Sequence, residues 1–292
     1  MSNIPYVPLL VCGASLTGLG IAFMNRERAL VVERTGQAGS EFIACFRPGD
    51  QWDQAFETPA AQQLAEELKR RNLLAGGRIS VPAVAPVLFH KIRQEKLQVK
   101  MLTEILKIEK NDAGCYDVTL FHASGIHQVR AGAIIDTTAE CISSPSYPVP
   151  IRAKYVNAML HCKWKEHQQA ASHPISFVNI EAANKPGHAD VQVSEGRFPG
   201  ERILHYELDV DDDWITARKK VHEAWAKLHE HVKPWTLALI AQTFDIRPAV
   251  SELQIDENWL WLPSAAYANL ALAFDAGVKK GRMIRDTVST GG

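Results

Sequence analysis

Apolar positions come in short runs over the first forty residues. Leu9 to Cys12 reads LLVC, and Ala29 to Val32 reads ALVV. Runs of this length suit strands buried on both faces. Between them lies GASLTGLGIA, residues 13 to 22, which predicts a glycine-bearing turn and a helix. Farther on the period changes. Glu57 to Leu74 places Leu64, Leu68 and Leu74 near one face of a predicted helix, with Gly76 and Gly77 as its stop. Pro82 and Pro86 bracket a predicted loop, and VLFHKIRQEKL from Val87 predicts a second amphipathic helix. Val99–Lys110 reads as one strand, Tyr116–Phe121 and Gln128–Arg130 as a hairpin, and Ala133–Thr138 as a buried strand.

The middle of the chain alternates. Strands are predicted over Arg152–Lys165, Ile175–Ala182, Asp190–Arg197 and Arg202–Val210, the last two joined through the turn Phe198-Pro-Gly-Glu. They make one antiparallel sheet. A helix follows from Trp214 and ends before Pro234, a short helix runs to Ala241, and Trp259–Leu262 gives a further strand before a final helix. The fold class is therefore α/β: a Rossmann-like, three-layer domain on a parallel sheet, with an inserted antiparallel-sheet domain. The expected boundaries are 1–150 plus 255–292 for the first and 151–254 for the second.

The turn after the first strand carries candidate chemistry. Gly13 permits a tight turn, Gly18 lets the helix approach the strand, and Ala22 is small on the same helix face. Glu33 ends the second strand, twenty residues after Gly13, where a carboxylate accepts hydrogen bonds from an adenosine ribose. Ser15 stands in place of the middle glycine of GxGxxG. Two readings stay open: a dinucleotide cradle, or an ordinary βαβ crossover with small residues for packing. In the first, the N–H groups of Ser15, Leu16 and Thr17 face a diphosphate at the helix start. The Ser15 hydroxyl then donates to phosphate or points away. Ser15→Gly is expected to preserve or strengthen binding, while Gly13→Val or Ser15→Leu abolishes it with the fold intact.

Longer stretches carry a family resemblance. VVERTGQAGS has an acid-ended strand and a following glycine pair, with Ser40 for the second glycine. IIDTTAE, residues 134–140, follows a strand into Asp-Ala-Thr-Gly-Asp, with Thr137, Ala139 and Glu140 as replacements. QTFDIRPAVSE, residues 242–252, has the Ile-Arg pair of a return strand. In these features the chain resembles the FAD-dependent oxidoreductases of the glutathione-reductase-type fold, as a divergent and short member. The resemblance implies FAD as cofactor, a split FAD-binding domain, and a sheet that covers the flavin ring. It implies cofactor-binding roles for Gly13, Ser15, Leu16, Thr17, Gly18, Glu33, Arg34, Thr138, Ala139, Pro263, Ser264 and Ala265. The last three lie where a final helix would aim its N-terminus at the flavin; the other reading of that helix is packing. The implied activity is hydride transfer from a small organic substrate to FAD. The alternative is a non-catalytic subunit or binding protein that keeps the fold.

Composition narrows the partners. With 292 residues and a net charge of -1, the chain has a sizeable core and no broad electrostatic case for nucleic acid or anionic membrane. The five cysteines are scattered without a CxxC, which argues against a disulfide scaffold and for a cytoplasmic setting. MSNIPYVPLL lacks the features of a signal peptide, and no stretch of ~18 apolar residues suggests a membrane span. The expected partner is a small-molecule substrate, with a homo-oligomer or partner subunit allowed. Asp211 to Asp213 read as a helix cap rather than a metal site, and His222, His229 and His231 as a helix face; no metal is expected. No catalytic residue stands out; His161 and His205 are the candidates for a flavin-facing acid or base. Arg152, Arg202 and Arg247 are candidates for orienting a carboxylate, or else ion-pair residues.

Overall fold

The computed structural model describes residues 4–162, 191–229, 232 and 234–289. Strand β1 (Tyr6–Cys12), helix α1 (Leu16–Met24) and strand β2 (Ala29–Val32) form the opening crossover. The single turn α2 (Ser40–Ile43) follows Gly39, and α3 (Pro59–Arg70) starts on a Thr58 side-chain cap. Strands β3 (Leu74–Ala75) and β4 (Arg78–Ile79) make a small hairpin over Gly76 and Gly77. A 3-10 turn at Val81–Val84 then runs straight into α4 (Ala85–Gln94). Pro82 and Pro86 thus sit in helical first turns instead of bracketing a loop, where the missing N–H would have had no helical partner.

The strand expected over Val99–Lys110 is two strands, β5 (Val99–Lys100) and β6 (Glu104–Lys110). Leu102 between them has φ 52, and a left-handed residue cannot continue a strand. Its N–H donates to Thr35 O at 3.1 Å, and that of Thr103 to Glu33 O at 2.9 Å, so the chain turns off there. Strand β7 (Tyr116–His122) leads to β8 (Gly125–Asp136), which joins the hairpin arm and the buried strand into one element. Next come β9 (Ile151–His161), β10 (Val191–Glu195), β11 (Glu201–Leu208) and α5 (Trp214–Leu228). Asp213 caps α5 by accepting from Thr216 N–H at 2.7 Å, as the acidic triplet predicts. The expected strand over 175–182, the end of the one expected over 152–165, and His231 lie outside the described residues.

Residues 236–240 correct the sequence reading, which had a helix there. They form β12 (Thr236–Ile240), paired antiparallel with β9. A five-residue apolar run is ambiguous by periodicity, and the open edge of β9 decides it. Strand β13 (Asp245–Pro248) also pairs with β9, and β14 (Leu253–Asp256) and β15 (Trp259–Trp261) follow. A 3-10 turn at Ser264–Ala266 precedes the last helix, α6 (Leu270–Ser289).

Two main sheets result. The first has the order β14-β15-β8-β1-β2-β5, with the β6–β7 hairpin joined to β8. Pairs β15–β8, β8–β1, β1–β2 and β2–β5 are parallel. Leu16, Phe42, Leu64, Leu88 and Phe274 belong to its larger core cluster, and Leu10, Tyr116, Val118 and Ile134 to a separate one. The second sheet is antiparallel, ordered β10-β11-β9-β12 with β13 on β9. Alternation along β9 and β11 puts Ala158, Leu160 and Leu204 in a core cluster with Leu228 of α5. Among the described residues, no helix is long and apolar enough to cross a membrane.

Candidate cofactor-binding site

The first crossover brings its candidate residues to one turn. Gly13 has φ +94, and a Cβ there would meet Thr138 Cγ2 at 2.7 Å. A Cβ on Gly18 would press into the Gly13 carbonyl. Both positions therefore require glycine for the turn itself, so Gly13→Val damages the fold instead of sparing it. Ser15 is the N-cap of α1: its Oγ accepts from Gly18 N–H at 3.0 Å and donates to Thr137 Oγ1 at 2.7 Å. Thr137 Oγ1 in turn donates to Cys12 O at 2.9 Å. The serine hydroxyl is thus engaged within the turn. Ser15→Leu would remove this cap and so also fails to leave the fold untouched.

A groove of about 370 Å³ runs past this turn. That is the small end of ligand pockets, which span roughly 300–1,000 Å³. Gly13, Ser15, Glu33, Arg34, Thr138 and Ala139 line it, as the sequence reading expects of cofactor-contacting residues. Glu140, Gln242, Thr243, Trp214 and Phe244 also line it and went unnoticed as site residues. Trp214 and Phe244 meet edge to face, with ring centroids 4.9 Å apart. Across the mouth, Arg34 and Glu140 approach to 4.0 Å, both about half exposed.

Glu33 sits just past β2 and is 5% exposed. Oε2 accepts from Ala14 N–H at 2.8 Å, and Oε1 accepts from Thr35 N–H at 2.7 Å and from the Thr35 hydroxyl at 2.8 Å. A carboxylate has about four acceptor positions, so one remains on Oε2 for a ribose hydroxyl. At this end the groove therefore offers an acceptor that fits a ribose hydroxyl.

The start of α1 is different. Leu16 N–H donates to Glu41 Oε1 at 2.7 Å, and Thr17 N–H to Ser264 Oγ at 3.2 Å. The Ser264 hydroxyl donates to the same Glu41 oxygen at 2.6 Å. With Gly18 N–H on Ser15, the N–H groups of Leu16, Thr17 and Gly18 are each held by a side chain. Glu41 Oε2 is closed off from solvent and has no hydrogen-bond partner. Burial pushes the Glu41 carboxyl up to about 7; the Ser264 hydroxyl and the Leu16 N–H pull it down, and the Glu33 carboxylate nearby adds a smaller push upward. Leu16 and Thr17 are two of the three N–H groups a diphosphate would engage here, so this end does not fit one while Glu41 and Ser264 hold them. Sequence reasoning missed Glu41 as a residue of this site. Its contact with Leu16 bridges 25 positions and that with Ser264 bridges 223, and no local period reports either.

The remaining candidates fall elsewhere. Pro263, Ser264 and Ala265 are buried, and only the Ser264 side chain reaches the turn. Helix α6 begins beyond them on an Asn269 cap, which accepts from Ala271 N–H at 3.0 Å and Leu272 N–H at 2.9 Å, and its start does not line the groove. Neither His161 nor His205 lines the groove. His161 is exposed at the end of β9. His205 is within 2.9 Å of both Asn157 Oδ1 and Ser194 Oγ, and burial lowers it to about 4. Arg247 is committed to Asp245 through two hydrogen bonds of 2.8 Å, and Arg202 donates to Glu201 O at 2.7 Å. Arg152 lines a separate polar cavity with Arg47 and Asp50. Asp136 closes the loop after β8, accepting from Thr138 N–H at 2.8 Å and Ser143 N–H at 2.7 Å, and burial raises its carboxyl. Among the described residues, no group of three or more His, Cys, Asp or Glu is placed to hold a metal ion.

No protein-family model matches the chain, and no curated protein does. Solved structures match it in fold. Aklavinone-11 hydroxylase, solved with FAD and aklavinone, aligns with a TM-score of 0.62 at 17% identity, over 99% of this chain and 63% of that one. p-Nitrophenol 4-monooxygenase from Pseudomonas putida aligns with a TM-score of 0.60 at 12% identity, over 99% of this chain and 82% of that one. Anhydrotetracycline hydroxylase from Streptomyces rimosus gives a TM-score of 0.60 at 14% identity, over 97% and 63%. The chain thus spans under two thirds of the length of both hydroxylases. The fold is the α/β fold of these two hydroxylases and the monooxygenase. That bears out the α/β fold that the sequence resemblance implies. The narrower glutathione-reductase type is not what these neighbours represent.

Proposed function

We propose that the chain is an FAD-dependent oxidoreductase acting on a small organic molecule. The observation that carries this is Glu33, held at the end of β2 on an open groove with one acceptor position left for a ribose hydroxyl. The likeness to hydroxylases and a monooxygenase supports it at the level of fold. In this reading residues 1–150 plus 255–292 are the FAD-binding domain and 151–254 the substrate domain. Gly13, Arg34, Thr138 and Ala139 line the cofactor's path. The finer reaction proposed from sequence, hydride transfer from substrate to FAD, stands beside the hydroxylation that the neighbours' names suggest. No catalytic role goes to His161 or His205, which lie off the groove.

Glu41 favours a second reading, a non-catalytic protein that keeps the fold, because its carboxylate stands where the diphosphate would bind. Titrating the purified protein with FAD while recording visible absorbance and flavin fluorescence separates the two. Saturable binding with a shifted flavin spectrum is expected from the oxidoreductase. Absence of binding in both the wild type and a variant lacking the Glu41 carboxylate would leave the second reading.

A further inference from the structure

A helix N-terminus favours an anion, and here the chain places its own carboxyl group at that of α1. Gly39 N–H donates to Ala14 O at 2.9 Å, which ties the start of α2 to the turn before α1. That tie sets Glu41, two residues on, across from the first N–H of α1. Ser264 bridges the remaining gap: it accepts from Thr17 and donates to Glu41. Three separate segments therefore close one small site.

We propose that Glu41 is an internal occupant of the diphosphate position, and that an anionic ligand engages Leu16 and Thr17 only after the Glu41 side chain has swung out. This rests on the dinucleotide reading of the groove for the identity of the ligand, but not for the existence of the plug. Two features make the occupant displaceable. Only one of its oxygens is bonded, while the other is buried without a partner and regains hydration when it leaves. The neighbouring Glu33 carboxylate is a like charge on the same turn, which weakens the hold of an ionised Glu41. An exchange of one anion for another at the same donors lowers the apparent affinity by the fraction of molecules in which the site is open.

The test uses the full chain as wild type, Glu41→Ala and Glu41→Gln, with inorganic pyrophosphate and FAD as separate probes in calorimetry. Amide spectra of Leu16 and Thr17 locate the binding. Glu41→Ala is expected to bind pyrophosphate about tenfold or more tighter than wild type, with shifts at both amides. Glu41→Gln keeps the shape of the side chain without the charge, lies between the two, and carries the comparison should Glu41→Ala lose its fold. Equal responses of wild type and variants to pyrophosphate, including none in any of them, overturn the plug. If the variants take pyrophosphate but not FAD, the plug stands and the FAD reading falls. If they take both more tightly than wild type, both stand.

Discussion

Two glutamates flank the same turn and do opposite things. Glu33 holds Ala14 N–H from the β2 side, and Glu41 holds Leu16 N–H from the α2 side. Both oxygens of Glu33 are bonded, and the side chain still borders the groove. Glu41 bonds through one oxygen and buries the other. A carboxylate met on both oxygens is a fixed part of the turn; one met on a single oxygen is held at a cost. Residue type is the same in both cases, and environment sets the role.

The largest effect should come from removing the frame on which both rely. Gly18→Val puts a branched side chain against the Gly13 carbonyl and Thr137 Oγ1. Overpacking typically costs about 1–3 kcal/mol, and contact with backbone, which cannot give way, puts this change at or above the upper end. Urea unfolding is expected to show that loss, along with loss of all ligand binding. A variant of near wild-type stability would mean that the turn is looser than the comparison assumes.

Next in size is the pH dependence of Glu41. Its carboxyl rises from 4.5 to about 7 on folding. Between those values the folded protein keeps a proton that the unfolded chain has released. Stability from this group is therefore complete below pH 4.5, falls as pH rises, and is exhausted above about 7. The span corresponds to about 3 kcal/mol at most. Glu41→Gln lacks the titration, so the stability difference between variant and wild type should drift by that order between pH 4.5 and pH 7.5. Unfolding curves at both ends measure it, and a constant difference would show that Glu41 is hydrated and the site open.

Glu33 should respond differently. Glu33→Ala strands Ala14 N–H and Thr35 N–H, which costs about 1–3 kcal/mol in stability. On the oxidoreductase reading it also weakens FAD by a similar amount, through the lost ribose contact. Calorimetry with FAD set against pyrophosphate sharpens the contrast: Glu33→Ala should weaken the first more than the second, which changes only through the firmer hold on Glu41 once the like charge is gone. Equal weakening of both would move Glu33 from the ribose to the turn alone.

The two glutamates also mark how far the sequence could be read. Glu33 was legible because its place follows from the end of an apolar run and its distance from Gly13, both local features. Asp213 was legible for the same reason, as a cap immediately before a helix. Glu41 was not, since its partners come from α1 and from the turn before α6. The same divide explains the strands. Leu9–Cys12 and Ala29–Val32 announce themselves as buried runs, whereas Thr236–Ile240 becomes a strand through the edge of β9. Leu102 reads as one more apolar position in a strand, and its φ of 52 is set by pairing of β5 and β6 with different partners. Gly13 and Gly18 were legible as small, but their closeness to Thr137 and Thr138 depends on β8 lying beside β1.

The smallest expected effect concerns Ser15, the residue that departs from the dinucleotide pattern. Its hydroxyl caps Gly18 N–H and donates to Thr137, so its work is within the turn. Ser15→Ala removes the cap and should cost about 1 kcal/mol. Ser15→Gly is more favourable as a cap, losing only a few tenths of a kcal/mol there, while giving up the bond to Thr137. Neither change removes Glu41 from Leu16, so neither should raise the affinity for pyrophosphate to the level of Glu41→Ala. This separates the two explanations for a weak cofactor site. If the serine is the obstacle, Ser15→Gly restores binding by itself. If the glutamate is, Ser15→Gly leaves binding at the wild-type level and adds to it only in combination with Glu41→Ala. Parallel titrations of the two single variants and the double variant decide between them.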